Sequence, residues 1–370
     1  MDQRTFTFIV GVTKLQQTPR KLSLVIAIFS VDLTTLNKRY FSLMNIKTAI
    51  TLVAAAACSL LTVAHAEESK LVRFGLITDI HVCDKPDQAS VATLNATARY
   101  FTGGVAKIGA FAQAMNKTKV AFVAELGDYT DNPVDSKLSY EQKRAAAIGF
   151  VDAAEAQLAQ FSGPRYHVFG NHDTDQMSKA DYQAHITNTG IPAGATYFSF
   201  NQGGVHFVLL DGGFKADGNA YSGVPGTPGS GYKWDNANIP AAEVNWLKSD
   251  LASNQLPVIV LGHQYLNPAE QVDAQFDPAH SVKNAAEIRQ ILEKSGKVLA
   301  VFAGHYHDGD FQQINGISYI GLQSSAAYGN DVSYHNQYAT VDVRADGKKY
   351  QVVVAGNGLQ KNYVVNAVLQ

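Results

Sequence analysis

Five short polar clusters, each directly after an apolar run, constrain this chain more than any other feature of its sequence. Asp79-Ile80-His81 follows residues 71–78, and Gly127-Asp128-Tyr129-Thr130-Asp131 follows residues 120–126. Gly170-Asn171-His172-Asp173 follows 166–169, Gly262-His263 follows 257–261, and Gly304-His305-Tyr306-His307 follows 298–303. An apolar run of roughly four to eight residues that stops at a turn signal reads as a buried strand. In an open α/β sheet the carboxyl ends of the strands line the binding crevice, so five clusters at five such ends would converge.

The intervals fit that picture. Residues 93–115, the Ala-rich 137–160, 241–251 and 285–294 have helical spacing. Residues 197–200 and 205–210 flank Gln202-Gly203-Gly204, which reads as a hairpin. Residues 212–240 are rich in Gly, Pro, Asn and Ser and read as a long loop. With Tyr221, Tyr232 and Trp234 it is either a lid over an aromatic or nucleotide leaving group or a surface insertion without function. Residues 317–322, 337–343 and 350–355 alternate as antiparallel strands do. The chain reads as an α/β protein that starts with strand–helix alternation and ends antiparallel.

Residues 44–66 read MNIKTAITLVAAAACSLLTVAHA. Lys47 gives a positive start, the stretch from Ala49 through Leu61 is apolar, and Ala64-His65-Ala66 is a small-x-small cleavage site. This is the pattern of a secretory signal; the apolar run is too short and poorly flanked for a membrane span. We therefore expect Met44 to be the true start, residues 1–43 to be an over-extended beginning outside the fold, and residues 67–370 to form one catalytic domain. The expected location is periplasmic or secreted, with no membrane attachment after cleavage.

Cys58 is a weak match to a lipidation site, because the apolar run continues past it. Cys83 is then the one cysteine left, so no intramolecular disulfide is expected. The mature chain would carry 23 Lys/Arg against 30 Asp/Glu, a net of −7. No basic block is present, and nucleic acid is not expected as a partner.

Carboxylate, imidazole and amide oxygen are ligands of divalent first-row metals. Asp79, His81, Asp128, Asn171, His263, His305 and His307 are too many for one tetrahedral ion, and one bridging carboxylate would divide them between two. A lone D-x-H or G-H arises often by chance; five clusters in this order do not. Glycine before Asp128, Asn171, His263 and His305 suits sharp turns with close backbone approach.

The set resembles the calcineurin-like metallophosphoesterase superfamily, whose pattern is D-x-H, G-D-x-x-D/Y, G-N-H-D/E, a later His, and G-H-x-H. The resemblance runs from Asp79 to His307. It implies a four-layer αββα sandwich with two central mixed sheets and the metals at their top. It further implies that Asp79, His81 and His307 hold the first metal, that Asn171, His263 and His305 hold the second, and that Asp128 bridges them. His172 would be the proton donor or transition-state contact, oriented by Asp173. Two divalent ions of Zn, Mn or Fe type are expected, with a hydroxide bridging them as nucleophile.

Asp131 stands where purple acid phosphatases have Tyr, so an iron–tyrosinate chromophore is not expected. Among subfamilies the chain looks most like bacterial exported phosphatases, some acting on phosphotyrosine. More distantly it is similar to the manganese-dependent ADP-ribose/CDP-alcohol diphosphatases. The expected reaction is hydrolysis of phosphate monoesters, with a small phosphoester or a phosphopeptide as substrate. The alternatives are a phosphodiesterase or nucleotide diphosphatase, and a non-catalytic metal-binding protein.

Tyr129 and Asn132 are candidates for the pocket wall, and Asp131 for supporting a ligand. Tyr306 is expected to pack rather than react. Cys83, beside His81, is a candidate nucleophile, although a metal site already supplies one. His167, His185, His206, His280 and His335 lie outside the motifs and read as structural or exposed. Mass mapping of the exported protein should find Glu67 at its N-terminus; a mature chain beginning near Met1 would overturn the reading of residues 44–66.

Overall fold

The computed structural model describes residues 69–88, 98–267, 277–326 and 336–369, and the backbone of two short strands near the N-terminus. Those two, β1 (Thr7–Gly11) and β2 (Ile26–Ser30), pair antiparallel within the separate unit Met1–His65. Residues 44–66, read above as an export signal, lie outside the described residues. So does His335.

The unit Ala66–Gln370 is built on two six-stranded sheets. The first has the order β14-β13-β12-β3-β4-β5. Its strands are β3 (Ser69–Ile77), β4 (Val123–Glu125), β5 (Arg165–His167), β12 (Tyr338–Asp346), β13 (Lys349–Asn357) and β14 (Tyr363–Val368). The second has the order β10-β11-β9-β8-β7-β6. Its strands are β6 (Phe198–Gln202), β7 (Val205–Leu209), β8 (Val258–Leu261), β9 (Val298–Ala303), β10 (Phe311–Ile314) and β11 (Ile317–Gly321). β3, β4 and β5 run parallel, as do β7, β8, β9 and β11. The remaining pairings are antiparallel, so both sheets are mixed.

Parallel strands buried on both faces read as continuous apolar runs, and β8 and β9 are buried at every residue. Between the sheets lies an aromatic-rich core. Phe74 of β3 stacks on Phe122 at 5.0 Å and meets Phe207 of β7 edge-on at 5.1 Å. Outside the first sheet, α1 (Gly104–Thr118) and α2 (Tyr140–Leu158) cover a second apolar cluster that includes Ile108, Phe111, Val151 and Leu158. Outside the second sheet, α4 (Ala241–Ser253) and α5 (Ala285–Ser295) do the same with Leu247, Ile288 and Leu292. A short α3 (Lys179–Gln183) follows β5. The layers are therefore αββα.

α2 begins where its capping box dictates: Ser139 Oγ accepts from the Gln142 amide at 3.3 Å, and the Gln142 side chain accepts from the Ser139 amide at 2.9 Å. α1 starts later than the expected residue 93. Gly103 is left-handed at φ 79°, which breaks any helix running through it, and residues 98–103 are not helical. β10, β14 and α3 were not anticipated from the sequence.

The register Glu125↔His167 sets these side chains next to each other on β4 and β5. His167 Nδ1 lies 3.5 Å from Glu125 and its Nε2 3.2 Å from Glu155 of α2, all three buried. Burial opposes the imidazolium, but Glu155 and Glu125 outweigh it and hold His167 up to about 9. Its ordinary value is about 6.5, so this contribution to stability is complete below that pH and is lost as pH rises through about 9. His167→Gln should cost about 3 kcal/mol in urea unfolding at pH 6. The difference from the parent chain should shrink by pH 10; a constant difference would show that His167 is not charged in the fold.

Candidate metal centre

Each polar cluster sits at the carboxyl end of a strand. Asp79 and His81 leave β3, Asp128 leaves β4, and Asn171 and His172 follow β5. His263 leaves β8, and His305 and His307 leave β9. The ends of five strands from two sheets thus meet at one place.

The backbone there is unusual. Among the described residues, six non-glycine positions have positive φ, and four of them are Asp79 (51°), His81 (52°), Asp128 (54°) and His305 (66°). Left-handed backbone is costly for residues with a Cβ and collects at functional sites. Here it falls immediately after three of the five strands, β3, β4 and β9, while Asn171 after β5 is right-handed at φ −73°. Gly170 is required sterically: a Cβ on it would lie 2.0 Å from the Asp128 amide nitrogen. Gly127 is required twice over, by φ 93° and by His263 Nδ1 at 2.6 Å from its would-be Cβ. The expectation fails at Gly262, whose would-be Cβ meets nothing closer than 3.7 Å.

Seven side chains converge. Nε2 of His81 and Nε2 of His307 are 3.1 Å apart, and His307 Nε2 is 3.4 Å from Asp79 Oδ1. His263 Nε2 is 3.3 Å from both Asp128 Oδ2 and Asn171 Oδ1. Asp128 Oδ2 is also 3.8 Å from His81 Nε2, which places it between the two groups. Donor atoms of Asp79, His81 and His307 lie within 4.8 Å of one another, and so do those of Asp128, His263 and His305. The split expected from the resemblance has a geometric counterpart, with Asn171 joined to the second group through His263.

The donor set fits divalent cations. Nε2 of His305 is buried with no hydrogen-bond partner, although a buried polar atom normally has one. Burial drives the His81 imidazole down to about 4, keeping it in the neutral form that ligates. Burial opposes charge on His263 too, but Asp128 outweighs it and raises that group to about 9. Burial likewise opposes ionisation of Asp79, yet His307 and His263 hold its carboxyl well below the ordinary range.

Neighbouring groups aim the ligands. Thr78 Oγ1 donates to Asp79 at 2.6 Å, the His305 amide donates to the same carboxylate at 3.0 Å, and His263 Nδ1 bonds the Leu126 carbonyl at 2.8 Å. Asp131 Oδ2 lies 3.4 Å from His81 Nδ1, and Lys85 Nζ donates to Asp131 Oδ1 at 2.8 Å. Asp131 therefore stands where it would support His81, one of the ligand candidates. Fixing a ligand's far nitrogen in this way sets its tautomer and orientation.

One expectation needs correction, and two candidates drop out. Asp173 does not orient His172. Its carboxylate is buried and accepts from the amides of Asp128 (3.1 Å), Tyr129 (2.8 Å), Thr130 (3.2 Å) and Gly170 (2.8 Å). The partner of His172 Nδ1 is Asp175 Oδ2 at 2.7 Å, with Asp131 Oδ1 farther off at 3.4 Å. The 3-10 turn His172–Thr174 swings Asp173 inward and returns Asp175 beneath the ring. Tyr129 does not line the pocket; it is fully buried, with its ring 5.2 Å from His167. Cys83 is half-buried, and burial pushes its thiol up to about 11, so it is not a ready nucleophile.

Tyr232 of the loop 212–240, with Asn132, His280 and Tyr306 from elsewhere, completes the surroundings. The Tyr232 hydroxyl contacts the Asn171 carbonyl at 2.5 Å and Asp175 Oδ1 at 2.6 Å. Asn132 Nδ2 donates to Asp175 at 2.6 Å. His280, expected to be structural, lies at the rim with its ring 4.9 Å from that of His305. Tyr306 packs edge-on to Tyr265 at 6.3 Å. Asp175 carried a signal in its place three residues after His172, and Tyr232 was singled out as part of a possible lid; His280 had no local signal, because long-range folding brings it in.

The fold and the site define an enzyme that works on phosphoesters with bound metal. Residues 72–309 match the calcineurin-like phosphoesterase family, and the chain belongs to it. The chain is a metal-dependent phosphoesterase. It is 22% identical over 292 residues to a manganese-dependent ADP-ribose/CDP-alcohol diphosphatase of Arabidopsis thaliana, covering 70% of this chain and 88% of that one. It is 28% identical over 165 residues to the mouse serine/threonine-protein phosphatase CPPED1, covering 43% of this chain and 48% of that one. A dimetal phosphatase from Danio rerio shares the fold, with a TM-score of 0.63 and 19% identity, over 81% of this chain and all of that one.

Asp128→Asn removes the charge shared by both ligand groups. Elemental analysis should show a loss of bound metal together with a loss of phosphoesterase activity. Unchanged metal stoichiometry would count against a bridging position.

Proposed function

We propose that the protein hydrolyses phosphate monoesters at a two-metal centre, with His172 as the proton donor, and that it does so outside the cytoplasm. The observation that carries the catalytic part is the placement of His172. Its ring meets the His81 ring edge-on at 5.0 Å, its backbone amide donates to Asp128 at 2.8 Å, and its side chain is 26% exposed. It is therefore beside the ligand set yet within reach of a bound ester. The extracellular part is supported by the sequence of residues 44–66 alone.

Asp79, His81 and His307 would hold one ion, Asn171, His263 and His305 the other, and Asp128 both. Bound divalent cations supply Lewis acidity toward the phosphoryl oxygens. The protein's own contribution is orientation and a proton. Asp175 accepts from His172 Nδ1 and fixes the ring, which leaves Nε2 to carry the proton given to the departing oxygen. Burial opposes a charged His172, but Asp175 and Asp128 outweigh it and raise its pKa well above the ordinary value. Tyr232 and Asn132 in turn hold Asp175 through its two oxygens.

A diphosphatase is the second reading, favoured by the relatives named for activity on ADP-ribose and CDP-alcohols, which the chain matches over 88% and 81% of their lengths. Metal-loaded enzyme assayed on p-nitrophenyl phosphate, phosphotyrosine, bis-p-nitrophenyl phosphate, ADP-ribose and CDP-choline separates the two. Faster turnover of the monoesters is expected; a preference for the last two would replace the first reading by the second. His172→Ala should retain its metal and lose activity by ~10²–10⁴-fold. A fall in metal content would make His172 a ligand instead.

A further inference from the structure

The loop 212–240 is anchored on one side of the metal-ligand set and reaches the other. Tyr232 ties it to Asn171 and Asp175. Two residues on, the ring of Trp234 lies 5.8 Å from that of His305 and 4.8 Å from that of His280. Trp234 is 43% exposed. Among the described residues it is the only exposed large apolar side chain with a ring contact to one of the seven ligands.

A singly exposed apolar residue ordinarily needs no explanation. This one is held in place. The 3-10 turn Trp234–Asn236 is pinned by the Tyr221 hydroxyl, which donates to Asn236 Oδ1 at 2.8 Å and to the Lys233 carbonyl at 3.2 Å. Tyr221 is itself fully buried and stacks on Tyr232 at 4.1 Å. The indole is tilted by 42° to His280 and by 55° to His305, so neither ring lies flat on it. An aromatic side chain held by its loop thus stands beside the ligand candidates with 43% of its surface exposed.

We propose that Trp234 is a specificity-determining residue, whose indole face takes the planar aromatic part of the substrate while the phosphoryl group sits at the seven ligands. This rests on the hydrolytic reading above. Offset stacking of a flat ring on indole is favourable for a phenyl ring and for a nucleobase alike. An alkyl group has no π-face and gains only ordinary contact. The loop is then part of the substrate site, held open at a set distance by Tyr232, and is not a surface insertion.

The test uses metal-loaded full chain with Trp234→Ala and Trp234→Phe, assayed on p-nitrophenyl phosphate, ADP-ribose and glycerol 2-phosphate. Trp234→Ala should lower kcat/KM for an aromatic substrate roughly five- to tenfold, mainly through KM, and Trp234→Phe should recover most of it. Glycerol 2-phosphate should change less than about twofold, within the scatter expected of a contact that does not stack. Loss on p-nitrophenyl phosphate alone identifies a phenyl group, and loss on ADP-ribose alone a nucleobase; both support the assignment. Equal loss on all three substrates, or none, overturns it.

A binding measurement keeps this separate from catalysis. The chain has two tryptophans, so Trp246→Phe leaves Trp234 as the fluorescent reporter. Phenyl phosphate or AMP should quench it where inorganic phosphate does not, and equal quenching by all three overturns the stacking. If the parent enzyme hydrolyses no ester, the hydrolytic reading falls by itself, and selective quenching would still support the aromatic face.

Discussion

The metal centre depends on one carboxylate that is not a ligand. Asp173 gathers four backbone amides, three from the turn after β4 and one from the turn after β5. Those turns carry Asp128 and Asn171. Without an acceptor, four buried N–H groups would be stranded, each at a cost of about 1–3 kcal/mol. Burial and the charges of Glu125 and Asp128 push the Asp173 carboxyl well above the ordinary carboxylate range, outweighing the amides of Gly170 and Thr130. The left-handed conformation of Asp128 and the close approach of Gly127 to Gly170 both follow from this fastening. So does the placing of the shared ligand between its neighbours.

A second consequence concerns His172. With Asp173 committed to the backbone, the next carboxylate along the chain takes over the imidazole. Asp175 reaches it because a short 3-10 turn returns the chain beneath the ring. Asp175 is in turn fixed by Tyr232, so a residue from a remote loop contacts the partner of the catalytic candidate. The residue that holds Asp175 and the aromatic rim are therefore mounted on the same short stretch, residues 232–236.

Most of the architecture was legible in the sequence because the central strands are buried on both faces and interrupted at once by polar ligands. β8 and β9 are apolar runs with clear ends, and the hairpin β6–β7 announces itself through Gly203-Gly204. The seven ligand candidates could be picked out for a related reason: Asp, Asn and His at the ends of apolar strands have few uses other than metal. What escaped was tertiary. β10 is half-exposed and alternates weakly, and β14 is an edge strand with Val364 and Val368 turned to solvent, so neither carries a strong apolar signal. The start of α1 was displaced because one left-handed glycine outweighed a good helical pattern. Asp173 was misassigned because adjacency to His172 in sequence says nothing about which way a tight turn points each side chain.

The candidate ligand set is divided between the sheets. Asp79, His81, Asp128 and Asn171 come from the first, and His263, His305 and His307 from the second. Occupancy of the centre is thus a cross-brace between two halves that otherwise adhere through the aromatic core. Ions that bind only the folded chain add to its stability by mass action, about 2.7 kcal/mol at a hundred times the dissociation constant. With metal held by these residues, the free metal concentration around this protein would govern its lifetime as well as its turnover, and starvation for metal would expose it to proteolysis before any change in its covalent structure.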